Sequence, residues 1–435
     1  MPRRLVAALA VGAGLALASL FVTDGLLFSR PLPTIDGTWR LLGLHERGEI
    51  VRDAHGIPHV DARNLHDLFF LQGYATAQDR LLQMELLRLM ARGRLGEVAG
   101  DAAAASDARM AALDLPRAAA GDLPRASEAT RAALEAYAAG VTKFIAQHAE
   151  AKALPGELVL LGRRPAPWSA ADSVAVAAAV LLREPSGGTC IATSGAAAFK
   201  GRPLIAAELD VGGPFGDTWY EIGLEGAGLR ARGFALPGVP GILVGYGERI
   251  AWSLAPAITR LAGPSVATRP DLGAMADGLL GLSRASDAES IGSALTKAAI
   301  PFEVCFADDR GAAGTIAPGQ APRAAETAGG VIIAGSPREG VGLSFTPRSA
   351  DAERLRVALN ALRPRPIGNG GLRLIVDLAE PDAAWAALPS GQSGHRASVH
   401  AYDQRALWEA GQLHRLSFSR QSLGKIEGHL VFRPR

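Results

Sequence analysis

Nucleophilic side chains gather in one short stretch of this chain, where Ser186-Gly187-Gly188-Thr189-Cys190 carries two hydroxyls and a thiol. Such groups attack a carbonyl only when a base activates them, so residue type alone assigns them no reaction. The ordinary alternatives are a β-branched strand residue for Thr189 and a small buried hydrophobe for Cys190. Cys190 and Cys305 are the two cysteines of the sequence, far apart in the chain, and in an oxidising compartment they could pair. No Cys/His spacing resembles a zinc site and there is no Walker or Rossmann glycine pattern, so neither a metal nor a nucleotide cofactor is expected.

The elements that must position these residues follow from periodicity and punctuation. Short strands at Glu49 to Arg52 and Ile57 to Val60, joined by Asp53-Ala54-His55-Gly56, read as a hairpin. Asn64 caps a long helical region reaching about Arg92, with Leu65, Leu68, Phe69, Leu81, Met84 and Leu87 at helical spacing. Further helices are signalled at Ser127 to Gln147, Ser169 to Leu182 and Ser286 to Ala299, the last with Ser286 and Glu289 as a capping box. From Thr189 onward, β-branched and apolar runs broken by Gly and Pro signal antiparallel strands: Cys190 to Thr193, Leu204 to Ala207, Thr218 to Leu224, Gly241 to Tyr246 and Phe302 to Phe306. Helices followed by sheet, then a helix and more sheet, predict an α+β layered body.

At 435 residues, with 48% hydrophobic and 20% charged residues, the chain is long enough for a large core and too apolar to be disordered. The arginines are dispersed among Asp and Glu, so the formal charge of +2 gives no basic stripe and nucleic acid is not an expected partner. Arg3 and Arg4 precede an apolar run from Leu5 to Val22, which is an export signal. Ala16-Leu17-Ala18 is a cleavage option, but the run continues through Leu20, Phe21 and Val22, which suits an uncleaved anchor better. The expected location is the periplasmic side of the cell envelope, with residues 5–22 in the inner membrane.

Several segments, in order, resemble the penicillin acylase family of N-terminal-nucleophile (Ntn) hydrolases. They are Ile50 to Val60; Gly73-Tyr74-Ala75-Thr76-Ala77-Gln78-Asp79-Arg80-Leu81 with Gln83-Met84-Glu85; Gly201-Arg202-Pro203-Leu204; Trp219-Tyr220-Glu221; Leu236 to Gly241; Ile250-Ala251-Trp252; and Gly391-Gln392-Ser393-Gly394-His395. The resemblance implies a four-layer α/β/β/α sandwich. It also implies three sections: residues 1–30 as signal or anchor, 31–187 as a helical region like the family's first chain, and 188–435 as a sheet-rich core like its second. The chain is shorter than typical members between Arg323 and Gly371, and it lacks the aspartate-bearing stretch after Trp252 that often binds calcium in the family, so no calcium site is expected.

Family enzymes cleave themselves to expose a serine whose own α-amine activates its hydroxyl. Aligning Ser194-Gly195 and Gly201-Arg202-Pro203-Leu204 with the family motif puts Gly188 at that position, where no attacking atom exists. A shift of one residue would select Thr189, a shift of two Cys190, and the opposite shift Ser186, but each moves the side chain to another face or a step along the strand. The oxyanion-hole asparagine, four residues before Ala307-Asp308, is replaced by Glu303, whose ionised carboxylate cannot donate to an oxyanion. The resemblance thus implies an amide hydrolase of N-acyl substrates, and the residues imply a copy that has lost the reaction and keeps a binding or accessory role toward a small N-acylated molecule. The alternative is an active acylase of the acyl-homoserine lactone or β-lactam type using Thr189. Glu303 is expected on a strand facing the same cavity as Gly188. If the Cys190 and Cys305 strands run parallel, their Cα atoms can come within roughly 7 Å; if antiparallel, they diverge.

Overall fold

A computed structural model describes residues 13–19, 21–22, 24–183, 187–193, 203–211, 218–256, 270–296, 300, 302–317, 323–324, 331–335, 371–378, 384–395, 397–401, 403–410, 412–416, 418, 423 and 425–435.

The Leu65–Ala91 helix begins where Asn64 accepts from the Asp67 amide, and it is buried on nearly every side, because sheet covers one flank and helices the other. Its main partner is the Glu128–Glu150 helix, capped by Ser127. The two touch backbone to backbone: a Cβ on Gly73 would lie 2.1 Å from the Tyr137 carbonyl oxygen, and one on Gly140 would lie 1.9 Å from that of Phe70. Only glycine at both crossing points permits this approach. The Ala170–Leu181 helix, held by a Ser169/Asp172 capping box, packs on both.

Among the described residues seventeen strands form two sheets. The larger runs β1 (Gly37–Leu41), β17 (Gly428–Pro434), β2 (Gly48–Arg52), β3 (Pro58–Ala62), β6 (Tyr220–Gly226), β7 (Leu229–Ala235), β8 (Val244–Gly247), β9 (Ile250–Pro256), β10 (Phe302–Asp308), β11 (Ala313–Ile316) and β12 (Arg323–Ala324). The smaller runs β13 (Val331–Gly335), β4 (Gly187–Thr193), β5 (Leu204–Asp210), β14 (Gly371–Asp377), β15 (Ala384–Ala387) and β16 (His414–Leu416). The larger sheet is antiparallel except where β1 meets β17 and β3 meets β6. It therefore combines strands from before and after residue 188, and both sections of the sequence share one core.

Strand alternation fixes the layers. On β6, Tyr220 reaches Asp79 of the long helix, while its neighbour Glu221 reaches His414 of the smaller sheet. On β10, Cys305 reaches Cys190 of β4, while Val304 shares its face with Ile316, against which Gly292 of the Ala288–Leu295 helix rests. Helices thus cover one face of the larger sheet and the smaller sheet covers the other. On the far face of the smaller sheet, Leu204, Ala206 and Ile375 form a separate apolar cluster with Trp385 and Leu413. Trp408, on the short Arg405–Glu409 helix, stacks over Arg373 on that same face.

Two expectations shift. The box at the start of the Ala288–Leu295 helix is made by Asp287 and Ser290, one residue later than Ser286 and Glu289, because the Asp287 carboxylate accepts the Ser290 amide. The strand expected at Gly241 to Tyr246 starts only at Val244: Gly241 has φ +95°, and the Ile242 amide donates to the Ser283 hydroxyl, so this stretch is a turn. Of the expected anchor, residues 5–22, residues 5–12 and 20 lie outside the described residues; residues 13–19 and 21–22 are helical and exposed. Among the described residues no helix is long and apolar enough to cross a membrane.

Candidate active site

The two sheets meet where β4 lies against β9 and β10. Cys190 and Cys305 form a disulfide there, with Cα atoms 6.3 Å apart, and both are fully buried. Cys190 is thereby fixed as a cross-link between sheets, with no free thiol for nucleophilic work. Two residues back on the same face of β4 is Gly188, paired with Leu209 of β5. Thr189, between them, lies on the opposite face, in register with Glu208. Ser186 lies outside the described residues. Among the described residues of β4, the face toward the larger sheet therefore carries Gly188, Cys190 and Ala192, with no hydroxyl.

Glu303 lies on β10, opposite Ala255 of β9, and shares with Cys305 the face that meets the smaller sheet. Its side chain is buried, at 8% exposure. A glutamate in its ionised form is acceptor-only and offers a developing oxyanion no hydrogen bond.

A second polar group was present in the matched sequence segments, but its role was not legible there. Arg52 of β2 donates to Asp79 Oδ2 (2.8 Å), to the Gly56 carbonyl (2.8 Å) and to Gln78 Oε1 (3.2 Å), and the Tyr220 hydroxyl donates to the same Asp79 oxygen at 2.6 Å. Burial draws the Arg52 pKa down, but the Asp79 carboxylate outweighs it and holds the guanidinium charged. Arg80 donates to the carbonyls of Gly391 and Gln392, and the Gln392 side-chain Nε2 donates to the Glu221 carbonyl at 2.6 Å. These bonds fasten the opening hairpin, the long helix, β6 and the Gly391-Gln392-Ser393-Gly394-His395 loop into one unit. The charge pattern Arg52, Asp79, Arg80 was the available signal; its pairing requires contacts between distant segments.

Asp53 closes the hairpin by accepting the His55 and Ile57 amides at 2.9 and 3.1 Å, and it faces His59 Nε2 (3.2 Å) and Arg232 Nη2 (3.3 Å). Burial opposes ionisation of Asp53, but His59 and Arg232 prevail and hold its carboxyl below the usual range. Burial, reinforced by Arg232, pushes the His59 pKa down to about 4, so the ring is neutral at pH 7. Among the described residues Arg232 Nε and Nη1 have no hydrogen-bond partner, and Arg232 lines an open pocket with His59, Val51, Phe418 and Leu423. Arg232 is on β7 and Glu303 on β10, three strands away and thus roughly 15 Å across the sheet. Among the described residues one group has clustered metal-ligand atoms, His45, His66 and Asp67, and there Asp67 already accepts the His45 and Glu46 amides as part of the helix start.

The layered α+β body carries the penicillin-acylase-like segments in their order. The penicillin amidase family model matches residues 47–189, 181–262 and 351–425, more than half of the sequence, and the chain belongs to that family. An acyl-homoserine lactone acylase QuiP of Pseudomonas fluorescens (strain Pf0-1) is 36% identical over 145 residues, covering 33% of this chain and 18% of the relative. The penicillin acylase 2 proenzyme of Pseudomonas sp. (strain SE83) is 36% identical over 154 residues, covering 35% and 20%. A thermostable penicillin G acylase from Alcaligenes faecalis in tetragonal form matches at 29% identity and a TM-score of 0.29, over 31% of this chain and 72% of that one. The matched part spans about a fifth of the length of the two curated relatives.

Proposed function

We propose that this chain is a catalytically silent member of the penicillin amidase family, held at the periplasmic side of the inner membrane by residues 5–22 and retaining a binding or accessory role. The observation that carries this reading is the face of β4 toward the larger sheet, where Gly188 is followed by a cysteine already committed to a disulfide. A hydroxyl at Thr189 is on the wrong side of the strand, and correcting that would require reversing the alternation of β4 against β5. Glu303 adds a second, independent obstacle, because it would repel the charge of a tetrahedral intermediate. The molecule bound is proposed to be small and N-acylated, with the pocket lined by Arg232 and His59, apolar Val51, Phe418 and Leu423, and acidic Glu49, Asp61 and Glu225 as its proposed seat.

Self-cleavage tests the proposal. A working Ntn hydrolase runs on a denaturing gel as two fragments split just before its nucleophile, whereas this chain is expected as a single band. Two bands, with the second fragment beginning at Ser186, Thr189 or Cys190 and the sample turning over an N-acyl substrate, would reverse it in favour of an active acylase.

A further inference from the structure

Large apolar side chains exposed to solvent are few among the described residues, and most of them fall in two stretches. One is the N-terminal helix, where Leu15, Leu17, Phe21 and Val22 are 57–78% exposed. The other is the end of the Gly156–Leu160 helix and the residue after it, where Val159, Leu160 and Leu161 stand 51%, 63% and 41% exposed in succession. Three consecutive large aliphatic side chains turned outward are a surface that water does not satisfy.

The segment that follows the first stretch packs on the helix that carries the second. The helical turn Gly25–Ser29, directly after the apolar run, packs on the start of the Gly156–Leu160 helix so closely that a Cβ on Gly156 would lie 1.9 Å from the Leu27 carbonyl oxygen and 3.2 Å from the Phe28 ring. Val22 precedes Leu27 by five residues, which is about 8 Å along a helix at 1.5 Å per residue. An apolar run that leaves the hydrocarbon at Val22 therefore holds Leu27, and the Gly156–Leu160 helix packed on it, about 8 Å outside the hydrocarbon, at the headgroup layer where interfacial apolar groups dock. The nearby Arg163 is committed to Glu85 and Glu97, so it steadies the body side of this segment.

We infer that Val159, Leu160 and Leu161 form a second membrane contact, seating the folded body on the lipid surface beside its N-terminal segment and fixing its orientation there. The inference rests on the reading of residues 5–22 as a membrane anchor. The partner is the apolar interfacial layer of the bilayer, not a lipid of particular headgroup, because Arg30, Lys152 and Arg164 are matched in the same region by Asp24, Glu150 and Glu157.

The test uses the full chain carrying Leu160→Cys labelled with an environment-sensitive dye, the two native cysteines being paired. The protein is mixed with phosphatidylcholine vesicles containing lipid spin labels in the upper acyl chain, and flotation is scored beside fluorescence. Flotation with a blue-shifted, quenched dye supports the inference, provided that adding Val159→Asp and Leu161→Asp removes the quenching while the chain still floats. Flotation with a water-like, unquenched dye overturns the contact and leaves the anchor standing. A chain that does not float overturns both. Dye that becomes shielded without lipid, in proportion to protein concentration, overturns the membrane contact in favour of pairing between two copies.

Discussion

Removing the cross-link between the sheets, by Cys190→Ala together with Cys305→Ala, tests how much of this fold depends on one covalent tie. The bond spans 115 residues. Restricting a loop of that length in the unfolded chain lowers its entropy by about 16 cal/mol/K, or about 5 kcal/mol at 25 °C, in the chain-entropy account. Residual structure in the unfolded chain reduces this figure, while the small cavities left by two sulfurs add to the loss, so a net destabilisation of about 3–5 kcal/mol is expected. Against a domain stability of about 5–15 kcal/mol this is a large fraction. Urea unfolding of the oxidised protein and the double-alanine variant, followed by far-ultraviolet circular dichroism, gives the comparison. The midpoint should fall and the m-value should rise, because the unfolded chain without the tie exposes more surface. A change below about 1 kcal/mol, far under the entropic estimate, would refute the reasoning by showing that the sheets are held by packing alone.

Gly188→Ser alone should leave the chain uncleaved, whereas Gly188→Ser with Glu303→Asn has the better chance of self-cleavage, since one restores the attacking atom and the other an oxyanion donor worth about a hundred- to a thousandfold; equal cleavage in both variants would sink the coupling. Gly140→Ala should destabilise by about 2 kcal/mol, despite the roughly 1 kcal/mol that alanine gains over glycine in a helix, because its Cβ would collide with the Phe70 carbonyl; a raised melting temperature would contradict that. The His59 pKa is lowered on folding from 6.5 to about 4, so the neutral ring stabilises the fold above pH 6.5 and that stability is lost as pH falls toward 4, by at most about 3 kcal/mol. His59→Gln should flatten this part of the stability profile measured by thermal melts, and an unchanged acid slope would count against it. Asp79→Ala leaves buried Arg52 without its carboxylate and should cost about 3–5 kcal/mol, read by denaturant titration.

Local chemistry was written in the sequence. The Asn64, Ser127 and Ser169 caps, the hairpin around Asp53 to Gly56 and the placement of β4, β5 and β10 depend on contacts a few residues apart or on period-two patterning, and these are legible from side-chain type and spacing. The family followed from motifs that are themselves local. The capping box of the Ala288–Leu295 helix was displaced by one residue because Ser286, Asp287, Glu289 and Ser290 all suit a cap, and only the helix's packing selects among them. The Leu272–Ser283 helix was missed because its glycines interrupt the periodic signal, although tertiary burial stabilises it.

The sequence by itself determined that Gly188 brings no side-chain nucleophile and that residue 303 carries a carboxyl and not an amide, since both are properties of residue type. Tertiary structure alone decided which residues meet. The Cys190–Cys305 disulfide depends on the packing of two sheets across 115 residues of chain, and the same packing commits Cys190 to the bond. Thr189 is turned away because its strand is in register with β5, and Arg52, Asp79 and Tyr220 converge because a hairpin, a helix and a strand share one core. Distances between residues remote in sequence are set by the sum of all packing and pairing energies, which no local pattern encodes.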